Sequence, residues 1–222
     1  MDRVVIIGAS GGIGSALAEA AETRGADVLR LSRPDIDLER PESLEEAAEA
    51  AGDELSHVIV AAGLLHRDGR GPERSWRELD HGWMLETFRV NSILPALAAR
   101  AFLPKLRRSE RAVFAALSAR VGSIGDNRLG GWHSYRASKA ALNQLIRTLS
   151  VELQRKNANA IIAALHPGTV DTGMSKPFQR NVPPERLFPP GTSAAHLWRV
   201  IDALTPADSG GFFAWDGTPI PW

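Results

Sequence analysis

The apolar run Val4-Val5-Ile6-Ile7 passes without a polar residue into Gly8-Ala9-Ser10-Gly11-Gly12-Ile13-Gly14, and that turn passes directly into Ser15-Ala16-Leu17-Ala18-Glu19-Ala20. A β-branched run, a glycine-rich corner and a good helix former confine the start of the chain to strand, tight turn and helix. The rhythm then continues. Strands are expected at Val4 to Ile7, Asp27 to Leu31, His57 to Ala61, Ala112 to Leu117, Ala160 to Leu165 and Gly211 to Trp215. Helices are expected near Ile13 to Arg24, Ser43 to Ala51, Trp83 to Leu106, Tyr135 to Gln154 and Ser193 to Leu204. Several strands lack polar alternation, as expected where helices cover both faces of a parallel sheet. The expectation is a single doubly wound α/β domain over 1–222. Only the stretch from Pro167 to Gly191 breaks the pattern, because Pro177, Pro183, Pro184, Pro189 and Pro190 forbid a continuous helix. It reads as a long loop around 169–191, either a lid over a site or a structural excursion, with the lid the favoured use.

Composition removes several chemistries. The 222 residues include no cysteine, so there is no disulfide framework, thiolate nucleophile, iron–sulfur cluster or Cys-ligated zinc, and a cytoplasmic setting is expected. Basic and acidic residues number 26 each, which removes the general attraction that nucleic-acid binders exploit. The first apolar run is too short for a signal-peptide core or a membrane span, so no membrane partner is expected. The six histidines show no metal-ligand spacing, and no metal is assigned.

The glycine-rich turn is the first chemical feature. With little side-chain bulk, backbone N–H groups and the helix N-terminus can approach a pyrophosphate, which the helix dipole favours. Gly8-Ala9-Ser10-Gly11-Gly12 also matches the nucleophile elbow of serine hydrolases, with Asp171 and His196 following in the right order. An elbow normally follows several strands, whereas only seven residues precede this turn, so dinucleotide binding is the favoured reading. The acidic residue expected after the second strand to bind a ribose 2′-hydroxyl is not evident; Ser32-Arg33 stands there. A hydroxyl and a guanidinium suit a 2′-phosphate, which favours NADP and leaves NAD as the alternative.

The second feature is Ser134-Tyr135-Arg136-Ala137-Ser138-Lys139 at the start of a periodic helix. Tyr135 and Lys139 are four apart and share a helical face. An ammonium near a phenol stabilises the phenolate, which predicts a tyrosine pKa below about 10 and a competent acid or base. Ser118 ends the strand Ala112 to Leu117 on the carboxyl side, where open α/β sheets place ligands. Together with the glycine turn, these residues resemble the classical short-chain dehydrogenase/reductase family over essentially the whole chain.

The resemblance implies a Rossmann-type fold and NAD(P)-dependent oxidoreductase activity on a small carbonyl or alcohol. Tyr135 would be the acid/base, Lys139 would lower its pKa and bond the nicotinamide ribose, and Ser118 would hydrogen-bond the carbonyl oxygen. Asn91 matches the family residue whose main-chain carbonyl holds a water in a proton relay. Pro95, four residues later, has no N–H and so cannot occupy that carbonyl. Gly8, Ser10, Gly12, Ile13, Gly14, Ser32, Arg33, Asp37, Leu38, Ala62, Gly63, Pro167, Gly168, Val170 and Thr172, with Asn91, Tyr135 and Lys139, would contact the cofactor. Val60 and Ala61 stand where the family has two asparagines before Ala62-Gly63, so hydrogen bonds normally made there are in doubt. Gly63 to His66, Ser118 to Ser123 and the tail from Gly211 to Trp222 look like the C-factor and sniffer-type carbonyl reductase group. That finer likeness implies either NADPH-linked reduction of a small aldehyde or ketone, or an NAD(P)-binding signalling protein with little turnover. Self-association through the long helices is compatible with it. The tail itself reads as a last strand followed by a Pro-rich segment that closes the core.

Overall fold

Parallel strands must be joined by crossovers, and this chain supplies one after nearly every strand. In the computed structural model, which describes residues 1–222, β1 (Arg3–Ile7) leads through α1 (Gly12–Thr23) to β2 (Asp27–Leu31). From there α2 (Ser43–Ala51) leads to β3 (His57–Val60). A long helical stretch follows, beginning with α3 (His81–Phe88) and continuing into α4 (Leu94–Phe102) before β4 (Ala112–Leu117). The 22-residue α5 (His133–Gln154) then reaches β5 (Ala160–His166). Two short strands, β6 (Thr169–Val170) and β7 (Leu187–Phe188), precede α6 (Pro190–Ala203) and β8 (Phe212–Ala214).

The main sheet has the order β2-β1-β3-β4-β5-β8, and every pairing in it is parallel. This is the doubly wound, Rossmann-like arrangement expected from the rhythm of the sequence. The chain reverses its winding direction at β1, which opens a crevice between the carboxyl ends of β1 and β3. The strand that flanks β2 in the six-stranded 3-2-1-4-5-6 order is absent: β2 is an edge and its residues are mostly part-buried or exposed.

Side-chain alternation divides the core. Val5 and Ile7 pack with Leu44 of α2, Phe102 of α4, and Leu142 and Ile146 of α5. Val4 and Ile6 face the other way, against Leu17 of α1 and Leu197 and Ile201 of α6. After β8 the tail closes the first of these layers: the Ile220 N–H donates to the Phe212 carbonyl at 2.8 Å, and its side chain is buried.

Three expectations need correction. The helix expected over Trp83 to Leu106 is interrupted by a wider π turn at Arg89–Ile93. Pro95 cannot donate to the Asn91 carbonyl, and a change in the hydrogen-bonding register is the local answer. α5 and α6 start earlier than expected, at His133 and Pro190; a proline is well suited to a first helical turn. The Pro-rich stretch contains the β6–β7 pair, with Thr169 opposite Leu187 and Val170 opposite Phe188. Strands this short carry no period by which they could be read.

His57 opens β3 and is 5% exposed. Its Nδ1 lies 2.9 Å from Ser56 Oγ, its ring meets Trp198 edge-on at 5.3 Å, and its Nε2 has no partner. Burial pushes its pKa down to about 4. The folded state therefore holds His57 neutral, while the unfolded chain takes up its proton below about 6.5. Stability is full above pH 6.5 and is lost as pH falls towards 4, by about 3 kcal/mol at most from this residue. Urea midpoints should fall over that window, and more shallowly in His57→Phe, whose ring keeps the Trp198 contact without titrating.

Candidate active site

The glycine turn is built by close approach. Gly8 has φ +88°, and a Cβ there would lie 2.7 Å from the Ala62 N; at Gly14 a Cβ would lie 2.2 Å from the Gly8 carbonyl oxygen. These two glycines let β1, α1 and the chain after β3 converge. α1 begins with no side-chain cap and no acidic residue in its first turn. The N–H groups of Gly12, Ile13 and Gly14 consequently have no acceptor within the protein. Free donors at a helix N-terminus form an anion site. Thr172, after β6, stands over it: a Cβ on Gly12 would come within 2.8 Å of its Cγ2.

At the carboxyl end of β2 the Ser10 N–H donates to Ser32 Oγ at 2.9 Å, tying the glycine turn to the next strand. The Ser32 N–H donates in turn to the Asp35 carboxylate at 3.1 Å. Asp35 is thus a carboxylate beside β2 that sequence reading missed, because it returns through a turn three residues beyond Ser32. Arg33 is exposed between them. Asp37 is fixed by Ser43, whose Oγ accepts from its N–H at 2.9 Å, while Leu38 packs against the core.

A second cluster forms where α5 meets the ends of β3 and β4. Lys139 is 3% exposed and donates from Nζ to the Leu117 carbonyl at 2.8 Å. The next residue, Ser118, donates from Oγ to Asn143 Oδ1 at 2.7 Å. Tyr135 lies one turn before Lys139, with Nζ 5.9 Å from its ring centroid. Asn91 joins from the π turn. Its Oδ1 accepts from the Leu64 N–H and its Nδ2 donates to the Leu64 carbonyl, both at 2.8 Å. Nδ2 also donates to Ser138 Oγ at 3.1 Å. Asn91 therefore laces the chain after β3 to α5 where Val60 and Ala61 offer no polar side chain. Near Gly63, an added Cβ would lie 3.8 Å from Lys139 Nζ, so Ala62-Gly63 passes directly beside the lysine.

The expectation that Lys139 lowers the tyrosine pKa is reversed in this geometry. Burial pushes Tyr135 up to about 12 and Lys139 down to about 7. Desolvation disfavours both charged forms, and the lysine points its donor at a carbonyl. Tyr135 is consequently a protonated phenol at neutral pH.

The loops around this cluster supply features without a sequence signal. Trp132, at φ +53°, precedes α5 in a left-handed turn and sets its ring 6.2 Å from Tyr135 and 5.1 Å from Phe178. Phe178 also approaches the His66 ring, and His66 Nε2 lies 3.1 Å from the Gly173 carbonyl oxygen. The 3%-exposed Glu73 accepts from the N–H and hydroxyl of Ser134, and its own carbonyl accepts from the Trp132 N–H. Its carboxylate thereby caps the helix that carries Tyr135. Pro167 and Gly168 lie between β5 and β6, with the Pro167 carbonyl accepting from Ser193 Oγ at 2.9 Å. Val170 is buried. The hydrolase alternative finds no triad: the Asp171 carboxylate engages Gln179 and Lys176, and His196 is packed against Phe188 and Trp215.

The family model described as short chain dehydrogenase matches residues 33–183. The chain belongs to that family and is an oxidoreductase of its class. The C-signal protein of Myxococcus xanthus is 37% identical over 145 residues, covering 65% of this chain and 82% of that protein. The 1-hydroxy-2-glutathionyl-2-methyl-3-butene dehydrogenase of Rhodococcus sp. (strain AD45) is 32% identical over the full length of both chains. A carbonyl reductase from Pseudomonas aeruginosa PAO1, solved in complex with NADP, is 25% identical with a TM-score of 0.78 and is covered in full by this chain.

The contact between Gly12 and Thr172 can be tested by substitution. Gly12→Ala should lower the melting temperature, and Gly12→Ala with Thr172→Ser should recover most of the loss because the colliding Cγ2 is gone. Gly14→Ala, which collides with backbone, should not be recovered by the same change.

Proposed function

We propose that this protein reduces a small aldehyde or ketone with NADPH. The observation that carries the reading is the buried Ser118, Tyr135 and Lys139 cluster beside the uncapped glycine turn, at the switch point of the sheet. The three free N–H groups at Gly12, Ile13 and Gly14 would hold the pyrophosphate, with Gly8 and Ser10 shaping the turn. Ser32 and Arg33 would meet the 2′-phosphate, Asp37 and Leu38 the adenine side, and Ala62, Gly63, Pro167, Gly168, Val170 and Thr172 the nicotinamide half. The reductase of known structure that carries NADP supports this choice; Asp35 beside Ser32 keeps NAD as the alternative. In its bound state the cofactor supplies a hydride to the carbonyl carbon.

The residues of the chain handle the oxygen. Tyr135, held as a neutral phenol, is ready to donate a proton to it. Lys139, with a pKa near 7, can take the ammonium form that stabilises the phenolate left behind and can bond the nicotinamide ribose. The Asn91 carbonyl, which Pro95 cannot occupy, is the anchor for a water that returns the proton to Lys139. Trp132, Phe178 and His66 wall the approach to Tyr135, so the loop at 169–191 forms part of the substrate cover. The same residues would run the reverse oxidation of an alcohol after deprotonation of Tyr135. A cytoplasmic setting suits the absence of cysteine, and no helix is long and apolar enough to cross a membrane. Exposed Leu85, Ile93 and Val151 on the helical stretch and α5 suit packing against a second copy.

The signalling alternative draws on the name of the 37% identical C-signal relative. The experiment that separates the readings is NADPH oxidation against a panel of aliphatic and aryl aldehydes, methyl ketones and quinones. Wild type should turn over at least one of them, and Tyr135→Phe should lose at least about a hundredfold in kcat while still binding NADPH. Arg33→Ala should weaken NADPH far more than NADH. Absence of turnover across the panel, or full turnover in Tyr135→Phe, would sink the proposal.

A further inference from the structure

Ser118 has one proton to give, and the structure shows where it goes. Its Oγ lies 2.7 Å from Asn143 Oδ1, an acceptor-only atom, so the hydroxyl donates there. At the other end of the amide Nδ2 faces the Gly122 carbonyl at 3.5 Å, a long contact that favours this orientation only weakly. Turned over, the amide would face Oδ1 towards that carbonyl and lose this contact. Ser118 and Asn143 are 4% and 2% exposed, so no bulk water competes for the pair. Asn143 follows Lys139 by one helical turn and Tyr135 by two, on the same face of α5.

This arrangement conflicts with what a carbonyl substrate requires. A carbonyl oxygen only accepts hydrogen bonds, whereas an alcohol hydroxyl can donate. With its proton committed to Asn143, Ser118 has only lone pairs left to offer a substrate. To bond a carbonyl it must withdraw that proton and leave Oδ1 buried without a partner, or the amide must turn and offer its NH2 to Ser118 Oγ. Turning costs only the long contact to Gly122 and the approach of two carbonyl oxygens; withdrawal leaves a buried acceptor unsatisfied.

We infer that Asn143 is a positioning residue that sets the hydrogen-bond polarity of Ser118, and through it the relative binding of the alcohol and carbonyl forms of the substrate. The inference rests on the reductase reading above. With the Asn143 oxygen towards Ser118, the site is complementary to the alcohol; with its nitrogen there, it is complementary to the carbonyl. The structure holds the first state, so the alcohol product should bind well and inhibit.

The test uses full-length protein with NADPH, the panel carbonyl that turns over fastest, and the alcohol made from it. The quantity read is the ratio of the alcohol inhibition constant to the carbonyl KM. Asn143→Leu, with the same branched shape though bulkier and unable to accept, frees the Ser118 proton, and the ratio should rise about fivefold to tenfold, the size expected for one hydrogen bond. Asn143→Ala, which admits a water able to pair either way, should move it in the same direction by less and serves if the leucine variant does not fold. In a Ser118→Ala background, assayed at its residual rate, Asn143→Leu should leave the ratio unchanged. A purely structural role would alter melting temperature or kcat without moving the ratio. An unmoved ratio in folded variants overturns the inference, as does an equal shift in the Ser118→Ala background. If wild type turns over no carbonyl, the reductase reading fails first and this inference falls with it.

Discussion

Two hydrogen bonds fasten α5 to the carboxyl end of β4, and the site depends on them. Lys139 Nζ reaches the Leu117 carbonyl and Asn143 Oδ1 receives the Ser118 hydroxyl, on successive turns of the helix and successive residues of the strand end. Leu142 and Ile146 bury the adjoining stripe of α5 in the core, so the helix is held by apolar packing along one side and by polar contacts at its top. Tyr135 then has little freedom. Its position follows from the helix, the Glu73 cap and the Trp132 ring.

The same fastening creates the site's electrostatics. Both titratable partners are removed from water, and removal favours the neutral form of each. A lysine that can exchange its proton near neutrality, beside a phenol that keeps its own, is an arrangement suited to delivering a proton to an oxygen. The shifts come from burial rather than from the pairing itself. This explains why a geometry that looks designed to ionise the tyrosine instead preserves its proton before cofactor arrives.

Legibility followed regularity. The central strands β1, β3, β4 and β5 could be read because buried parallel strands are continuous apolar runs, and the turn after β1 carries glycine where β1, α1 and the chain after β3 converge. Tyr135 and Lys139 could be singled out because they sit four apart on a regular helix, and Ser118 because it directly follows an unbroken apolar strand. Asn143 lies on that same four-residue series, yet an amide in a helix carries no chemical mark until its partner is seen. Glu73, Trp132 and Asp35 sit in turns whose course no period reveals. The π turn was half legible: Pro95 announced a missing donor, but not whether the helix would bend or widen. The direction of the tyrosine shift could not be read from spacing at all, since it depends on how completely the pair is buried.

The central claim is that Tyr135 is a buried phenol kept protonated so that it can act as an acid. Since the chain has one tyrosine, phenolate absorbance reports that group alone. Titration of the cofactor-free protein in the ultraviolet should show essentially no phenolate up to pH 10 and ionisation only towards about 12. A phenolate fully developed by pH 9 in folded, cofactor-free protein would contradict the account.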